Sequence, residues 1–221
     1  MKTNPPLNAI LQRDNATYAI VPRIPGGLLS LDHLRAITTV VEKYNIPIVK
    51  ITSGQRLALV GLKEEDLSAI YQDLAMIPGK ATELCLHYVQ ACPGTEVCKF
   101  GVQDSLGFGI QLEGLLSDRD LPAKLKVGVS GCPFCCSESL VRDIGLLGKK
   151  SGWTLSFGGH SGKRPRIADI FAEGLSNEDA IQLINSFLDF YRDNGKTKER
   201  TSQFVERIGA DAIKSKILKQ S

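Results

Sequence analysis

Lys126–Ser139 reads KVGVSGCPFCCSES, a short strand-like run that opens directly into a glycine, a proline and three cysteines. Lys124–Ser130 alternates polar and apolar residues as a half-buried strand does, and the chain leaves it through Gly131 into Cys132-Pro133-Phe134-Cys135-Cys136. Upstream, ACPGTEVCKFGVQDS at 91–105 has the same design. A strand is expected around Leu84–Val89, and Cys92 and Cys98 then flank a loop containing Pro93 and Gly94. The six cysteines, at 85, 92, 98, 132, 135 and 136, thus fall within about a quarter of the chain.

Thiols brought together by two glycine- and proline-bearing loops suit a [4Fe–4S] cluster, which takes four thiolates. Cys92, Cys98, Cys132 and Cys136 are the candidate ligands. A helical turn after Pro133 would place Cys132 and Cys136 one turn apart, facing the same way. Other readings stay open: small cysteines packed in a core, a four-thiolate zinc site that uses the CPFC spacing, or a redox dithiol at Cys132 and Cys135. Cys85, inside the expected strand, reads as core.

Working outward, residues 17–62 read as strand, helix, strand, strand, a compact α+β unit. Ser30 is a suitable N-cap for the helix SLDHLRAITTVVEKYN, whose apolar face is Leu31, Leu34, Ile37, Val40 and Val41. A break near residue 63 gives two domains, 1–63 and 64–221. The second opens with the helix KEEDLSAIYQDLAM and carries a further strand at Trp153–Phe157. After Ser176 comes a long helix, stopped at Asn194-Gly195, and from Lys196 a Lys/Arg-rich tail expected to lie on the surface.

At 221 residues and 43% hydrophobic, the chain can bury a genuine core. A formal net charge of +3, without a basic block or recognition motif, argues against nucleic acid as a partner. No apolar run approaches the roughly 20 residues of a membrane helix, and Met1–Pro22 has no export-signal pattern, so a cytoplasmic protein is expected. In that compartment cysteines stay reduced and serve metals or redox chemistry.

The motifs together resemble the sirohaem-containing sulfite and nitrite reductases over most of the chain. VPRIPGGLLS at 21–30 and KITSGQRLALVGL at 50–62 resemble the family's ferredoxin-like half domain. The two cysteine segments resemble its C-x5-C and C-x3-C cluster motifs. SGWTLSFGGHSGKRPRIAD at 151–169 and ERTSQFVERIG at 199–209 complete the order. The wording is similar to the sirohaem domain of the NAD(P)H nitrite reductase large subunit, and the length to the low-molecular-mass assimilatory-type sulfite reductases. The resemblance implies a ferredoxin-like half domain followed by a mixed α/β domain that binds sirohaem and the cluster.

It further implies that Cys92, Cys98, Cys132 and Cys136 hold the cluster, Cys136 also serving as axial ligand to the sirohaem iron, and that sulfite or nitrite is reduced by six electrons. A cluster protein with an electron-carrying role alone is the alternative. Both the cofactor carboxylates and the substrate are anionic, so cations must meet them. The resemblance assigns Arg56, Lys124 and Lys126 to the substrate and the reaction. It assigns Arg23, Lys50, Thr52, Gln55, Lys99, Gly158, Gly159 and Arg166 to cofactor binding. Arg56 stands two positions past the place where the sulfite reductases carry an arginine, here Gly54, a shift that on a strand keeps the same face. Cys135 competes with Cys136, while His87, Tyr88 and His160 read as ordinary packed or exposed residues. One copy of a unit that larger members carry twice implies a homodimer, and the lack of a flavin segment or extra ferredoxin-type cysteines implies an external donor such as a ferredoxin.

Overall fold

The computed structural model describes residues 8–80 and 82–218, which form two compact units, Met1–Thr82 and Glu83–Ser221. The division falls after Thr82 rather than near residue 63. Its cause is the helix beginning at Leu67, whose Leu67, Ile70, Tyr71 and Leu74 are buried with Ile20, Val40 and Leu59 in the first unit's core.

The first unit consists of β1 (Ile10–Leu11), β2 (Tyr18–Ile20), α1 (Leu31–Lys43), β3 (Ile48–Ile51), β4 (Leu57–Leu62) and α2 (Leu67–Leu74). The strands pair antiparallel in the order β1-β2-β4-β3. Ser30 caps α1 as expected: its Oγ accepts from the His33 backbone N–H at 3.1 Å, and His33 Nδ1 accepts from the Ser30 N–H at 3.3 Å. Only part of the expected α1 face is covered. Ile37 and Val40 are buried, but Leu31 is 61% and Leu34 48% exposed. β3, at the sheet edge, exposes Ile48, Val49 and Ile51, the last at 75%. An edge strand with apolar side chains on both faces is normally covered by something.

The second unit contains β5 (Leu86–Ala91), α3 (Ser105–Leu116), β6 (Leu125–Ser130), β7 (Ile144–Lys149), β8 (Gly152–Phe157), β9 (Asp169–Leu175), α4 (Asn177–Asn194), α5 (Thr201–Ile208) and α6 (Ala210–Ile217). The sheet order is β5-β6-β7-β8-β9, with β5, β6 and β7 parallel and β8 and β9 antiparallel. Strand alternation sorts the side chains cleanly. Val127, Val129, Ile144, Leu146, Trp153, Leu155 and Phe157 enter one core with the helices, Phe108 of α3 stacking on Trp153 and Phe187 of α4 on Phe157. The tail expected at the surface is part of this core, for Phe204, Val205, Ile213 and Ile217 are all buried.

The opposite face carries Lys126, Gly128, Ser130, Gly145, Thr154 and Ser156, and the segment 131–143 is laid over it. Contact is backbone-close. A Cβ on Gly145 would meet the Ser139 carbonyl oxygen at 2.1 Å, and one on Gly128 the Ser137 carbonyl oxygen at 2.7 Å. Ser130 Oγ accepts the Ser137 N–H at 3.1 Å and pairs with Ser139 Oγ at 2.8 Å. Gly145→Ala should therefore lower stability by about 1–3 kcal/mol in urea unfolding, whereas an unchanged midpoint would mean that the overlying loop simply lifts.

Candidate cluster and anion site

Both cysteine loops leave the carboxyl ends of adjacent parallel strands, the usual position for a site in an open sheet of this kind. Cys92 follows β5, and its N–H continues the ladder to the Val129 carbonyl at 3.1 Å. Gly131 follows β6, and its carbonyl accepts the N–H groups of Val102 and Gln103 at 2.9 and 3.1 Å. The first loop is thus stitched to the root of the second. The sulfur of Cys92 accepts the Gly131 N–H at 3.1 Å and lies 3.2 Å from Ser105 Oγ, at the first residue of α3.

The turn after Pro133 is not helical. Cys135 takes a left-handed backbone (φ 57°), its N–H bonds the Cys132 carbonyl at 3.2 Å, and its own carbonyl accepts from Glu138. Consecutive turns, rather than one helical turn, therefore set the directions of Cys132, Cys135 and Cys136. None of the six cysteines is in a disulfide. Partial desolvation, followed by the nearby Cys92, Cys132, Cys98 and Cys135, raises the Cys136 thiol above its ordinary value, although the residue as a whole is exposed. Sulfur donors gathered from two loops fit an iron–sulfur cluster. Among the described residues no three Cys, His, Asp or Glu side chains stand close enough to grip a single metal ion. A four-iron cube spaces its thiolates farther apart than one ion does.

The other expected residues of the second unit divide. Lys126 is half-buried, with its ammonium 5.7 Å from the centre of the Tyr88 ring, and Lys124 is exposed just before β6. Burial first, then the Arg200 guanidinium, lowers the Lys126 ammonium from its ordinary value, while Asp143 opposes the change. His160 is likewise lowered by burial and by Arg200, with Lys126 and Lys124 contributing. These side chains therefore share one electrostatic neighbourhood. Lys99 is exposed, its ammonium 4.9 Å from the Phe100 ring. The close approaches at Gly158 and Gly159 are to Val205 and to the Arg142 backbone. Arg166 is engaged locally, bonding the Gly158 carbonyl at 2.9 Å and Asp169 at 2.5 Å. His87 and Cys85 are buried, His87 Nε2 lying 2.8 Å from the Glu83 carbonyl oxygen.

In the first unit, Thr52, Gln55 and Arg56 share the β3–β4 turn, closed by the Thr52 N–H to the Arg56 carbonyl at 2.7 Å. Strand alternation consequently does not relate Arg56 to position 54, and turn geometry decides where each points. Arg56 donates to the Lys80 carbonyl at 2.7 Å, and the Arg23 N–H to that of Ile77 at 2.9 Å. The exposed Lys50 lies at the end of β3, its ammonium 3.5 Å from the Ile51 carbonyl.

Two consecutive residues not singled out from the sequence organise the polar face. Arg142, 4% exposed, donates to Gln90 Oε1 at 2.7 Å and Ser161 Oγ at 3.1 Å and pairs with Glu138, two residues beyond Cys136. Its Nε is buried without a hydrogen-bond partner. Asp143, fully buried, accepts from Arg200 Nη2 at 2.5 Å, Thr201 Oγ1 at 2.5 Å and the Lys126 backbone N–H at 2.9 Å. The signal that could have found Asp143 is a lone carboxylate abutting the apolar run IGLLG.

Comparison with known proteins agrees with this arrangement. The family model described as "Nitrite and sulphite reductase 4Fe-4S domain" matches residues 84–221, and that described as "Nitrite/Sulfite reductase ferredoxin-like half domain" matches residues 10–77. The chain belongs to the nitrite and sulfite reductase family. That family carries a [4Fe–4S] cluster and sirohaem. An assimilatory-type sulfite reductase of Nitratidesulfovibrio vulgaris is 57% identical over 213 residues, covering 96% of this chain and 98% of that one. An NAD(P)H nitrite reductase of Bacillus subtilis is 40% identical over 212 residues, but the match takes in 96% of this chain and only 26% of that one. The Mycobacterium tuberculosis NirA protein has the same fold, with a TM-score of 0.80 at 19% identity, over 95% of this chain and 43% of that one.

Proposed function

We propose that this family member reduces sulfite to sulfide, an overall six-electron reaction, with sirohaem coupled to a [4Fe–4S] cluster. The observation that carries the reading is that one sheet presents clustered thiols at the carboxyl ends of β5 and β6 and a group of cations, Lys124, Lys126, Arg142 and Arg200, where β6 and β7 begin. An electron carrier needs the thiols but has little use for the cations. The match to a sulfite reductase along nearly the whole of both chains favours sulfite over nitrite, whose named relative is about four times longer than the matched segment.

In this reading Cys92, Cys98, Cys132 and Cys136 hold the cluster, with Cys136 shared with the sirohaem iron. When bound, the two cofactors would supply the electron transfer that reduces the anion. The chain's own part is to hold the thiolates, exclude other ligands and place positive charge. Lys124, Lys126 and Arg56 are assigned to the substrate, and Arg23, Lys50, Thr52, Gln55, Lys99, Gly158, Gly159 and Arg166 to the sirohaem and its carboxylates. The donor is a separate redox protein such as a ferredoxin, and cysteines outside any disulfide suit the cytoplasm.

Anaerobically purified protein should show sirohaem absorption with acid-labile sulfide and should turn over sulfite with a reduced viologen. Labile sulfide without sirohaem would mark a carrier, and a colourless zinc protein would sink both readings. For the shared ligand, Cys136→Ser should abolish the coupled sirohaem–cluster spectrum while Cys135→Ser keeps it. The reverse outcome transfers the role to Cys135.

We further propose a homodimer in which a second copy of the chain covers the apolar edge formed by Ile48, Val49 and Ile51. Sedimentation should then give twice the chain mass, and Ile51→Asp should shift it toward monomer. An active preparation that sediments only as monomer refutes this.

A further inference from the structure

Asp143 is the one fully buried carboxylate in a neighbourhood of cations made up of Lys124, Lys126, Arg142 and Arg200, with His160 beside them. Its two oxygens are fully used. Arg200 approaches with Nη2 at 2.5 Å and Nε at 3.3 Å, Thr201 Oγ1 at 2.5 Å and the Lys126 N–H at 2.9 Å. One carboxylate, 57 residues before Arg200 in the chain, therefore ties the start of β6 to the head of α5. Its neighbour Arg142 is pinned separately by Gln90, Ser161 and Glu138.

The guanidinium held by Asp143 is not used up by that pairing. Arg200 remains 16% exposed and lines a cavity of about 170 Å³ together with His160, Lys163 and Arg164, while Glu206 on the same wall is drawn toward Arg166. A planar guanidinium gripped through one edge presents its remaining N–H groups in a fixed direction, as recognition of a carboxylate or oxyanion requires. A free arginine side chain would lose that direction to rotamer entropy.

We propose that Asp143 is a positioning residue, which by gripping Arg200 and the Lys126 backbone aims the Arg200 guanidinium into this cavity as the seat for an anionic oxygen group. The inference rests on the reductase reading. The group bound is either the substrate oxyanion or a carboxylate of the sirohaem, two sources with the same chemistry. Asp143 itself touches neither. It acts through Arg200, and its removal should matter only while Arg200 is present.

The test uses the holoenzyme and the variants Arg200→Gln, Asp143→Asn and the double variant, read by sirohaem content per chain, by spectral titration with sulfite and by the split between KM and kcat. Arg200→Gln should weaken anion binding about tenfold or more. Asp143→Asn should match it, and the double variant should be no worse than either, because two residues acting in series do not add. A raised KM and sulfite dissociation constant at full sirohaem content identifies the substrate as the group bound, and a loss of sirohaem at unchanged KM identifies the carboxylate. If both quantities stay within twofold of the wild type in Arg200→Gln, or if the two single effects add, the proposal is overturned. Should Asp143→Asn fail to fold, Arg200→Gln decides alone, since it leaves Asp143 with Thr201 and the Lys126 N–H. A wild-type protein that turns over neither sulfite nor nitrite would instead remove the reductase reading.

Discussion

The parallel pairing of β5 with β6 is the constraint on which the site depends. Because both strands run the same way, both end on the same side, and the chain emerging from each meets the other at once. The Gly131 carbonyl, with its two N–H partners from the first loop, fastens them. A parallel pair requires a long crossover, which α3 supplies, packing Phe108 and Leu112 into the core while its first residue touches Cys92. Fold and thiol geometry are consequently one arrangement.

The sheet's second face solves a different problem. Most sheets bury apolar side chains on a covered face, but here a polypeptide segment covers it, so the floor must be low and able to form hydrogen bonds. Gly128 and Gly145 keep it low, and Ser130 and Ser156 provide hydroxyl groups. Arg142 and Asp143 close the far end of the covering segment. As consecutive residues on an extended backbone they point opposite ways, the guanidinium toward Gln90 and the carboxylate toward α5. Burying these charges would be costly if either lost its partners.

What could be read from the sequence was whatever depends on local spacing. Alternation gave the strand from Trp153 to Phe157, the serine cap gave the start of α1, and glycine and proline beside cysteine marked both loops. What could not be read depends on partners far along the chain. Nothing near Asp143 announces that Thr201, 58 residues on, will meet its carboxylate. Leu31 and Leu34 fit the helical stripe that ends in Val41, yet they stay exposed where Ile37 and Val40 are buried. The tail's lysines and arginines concealed Phe204 and Ile213, which are wholly buried. The residue before Cys136 shows the limit from the other side, for spacing alone reports a helical turn where the backbone at Cys135 runs left-handed.

The crossover between the two cysteine loops also has a consequence for biogenesis. A growing chain that has passed Cys98 but has not yet completed α3 and β6 lacks the Gly131 carbonyl that fastens the first cysteine loop. The two loops meet only when β6 has docked beside β5 and the Gly131 carbonyl has received its two N–H groups. Proximity of the two sets of cysteines is therefore a property of the folded sheet and not of the chain as it emerges.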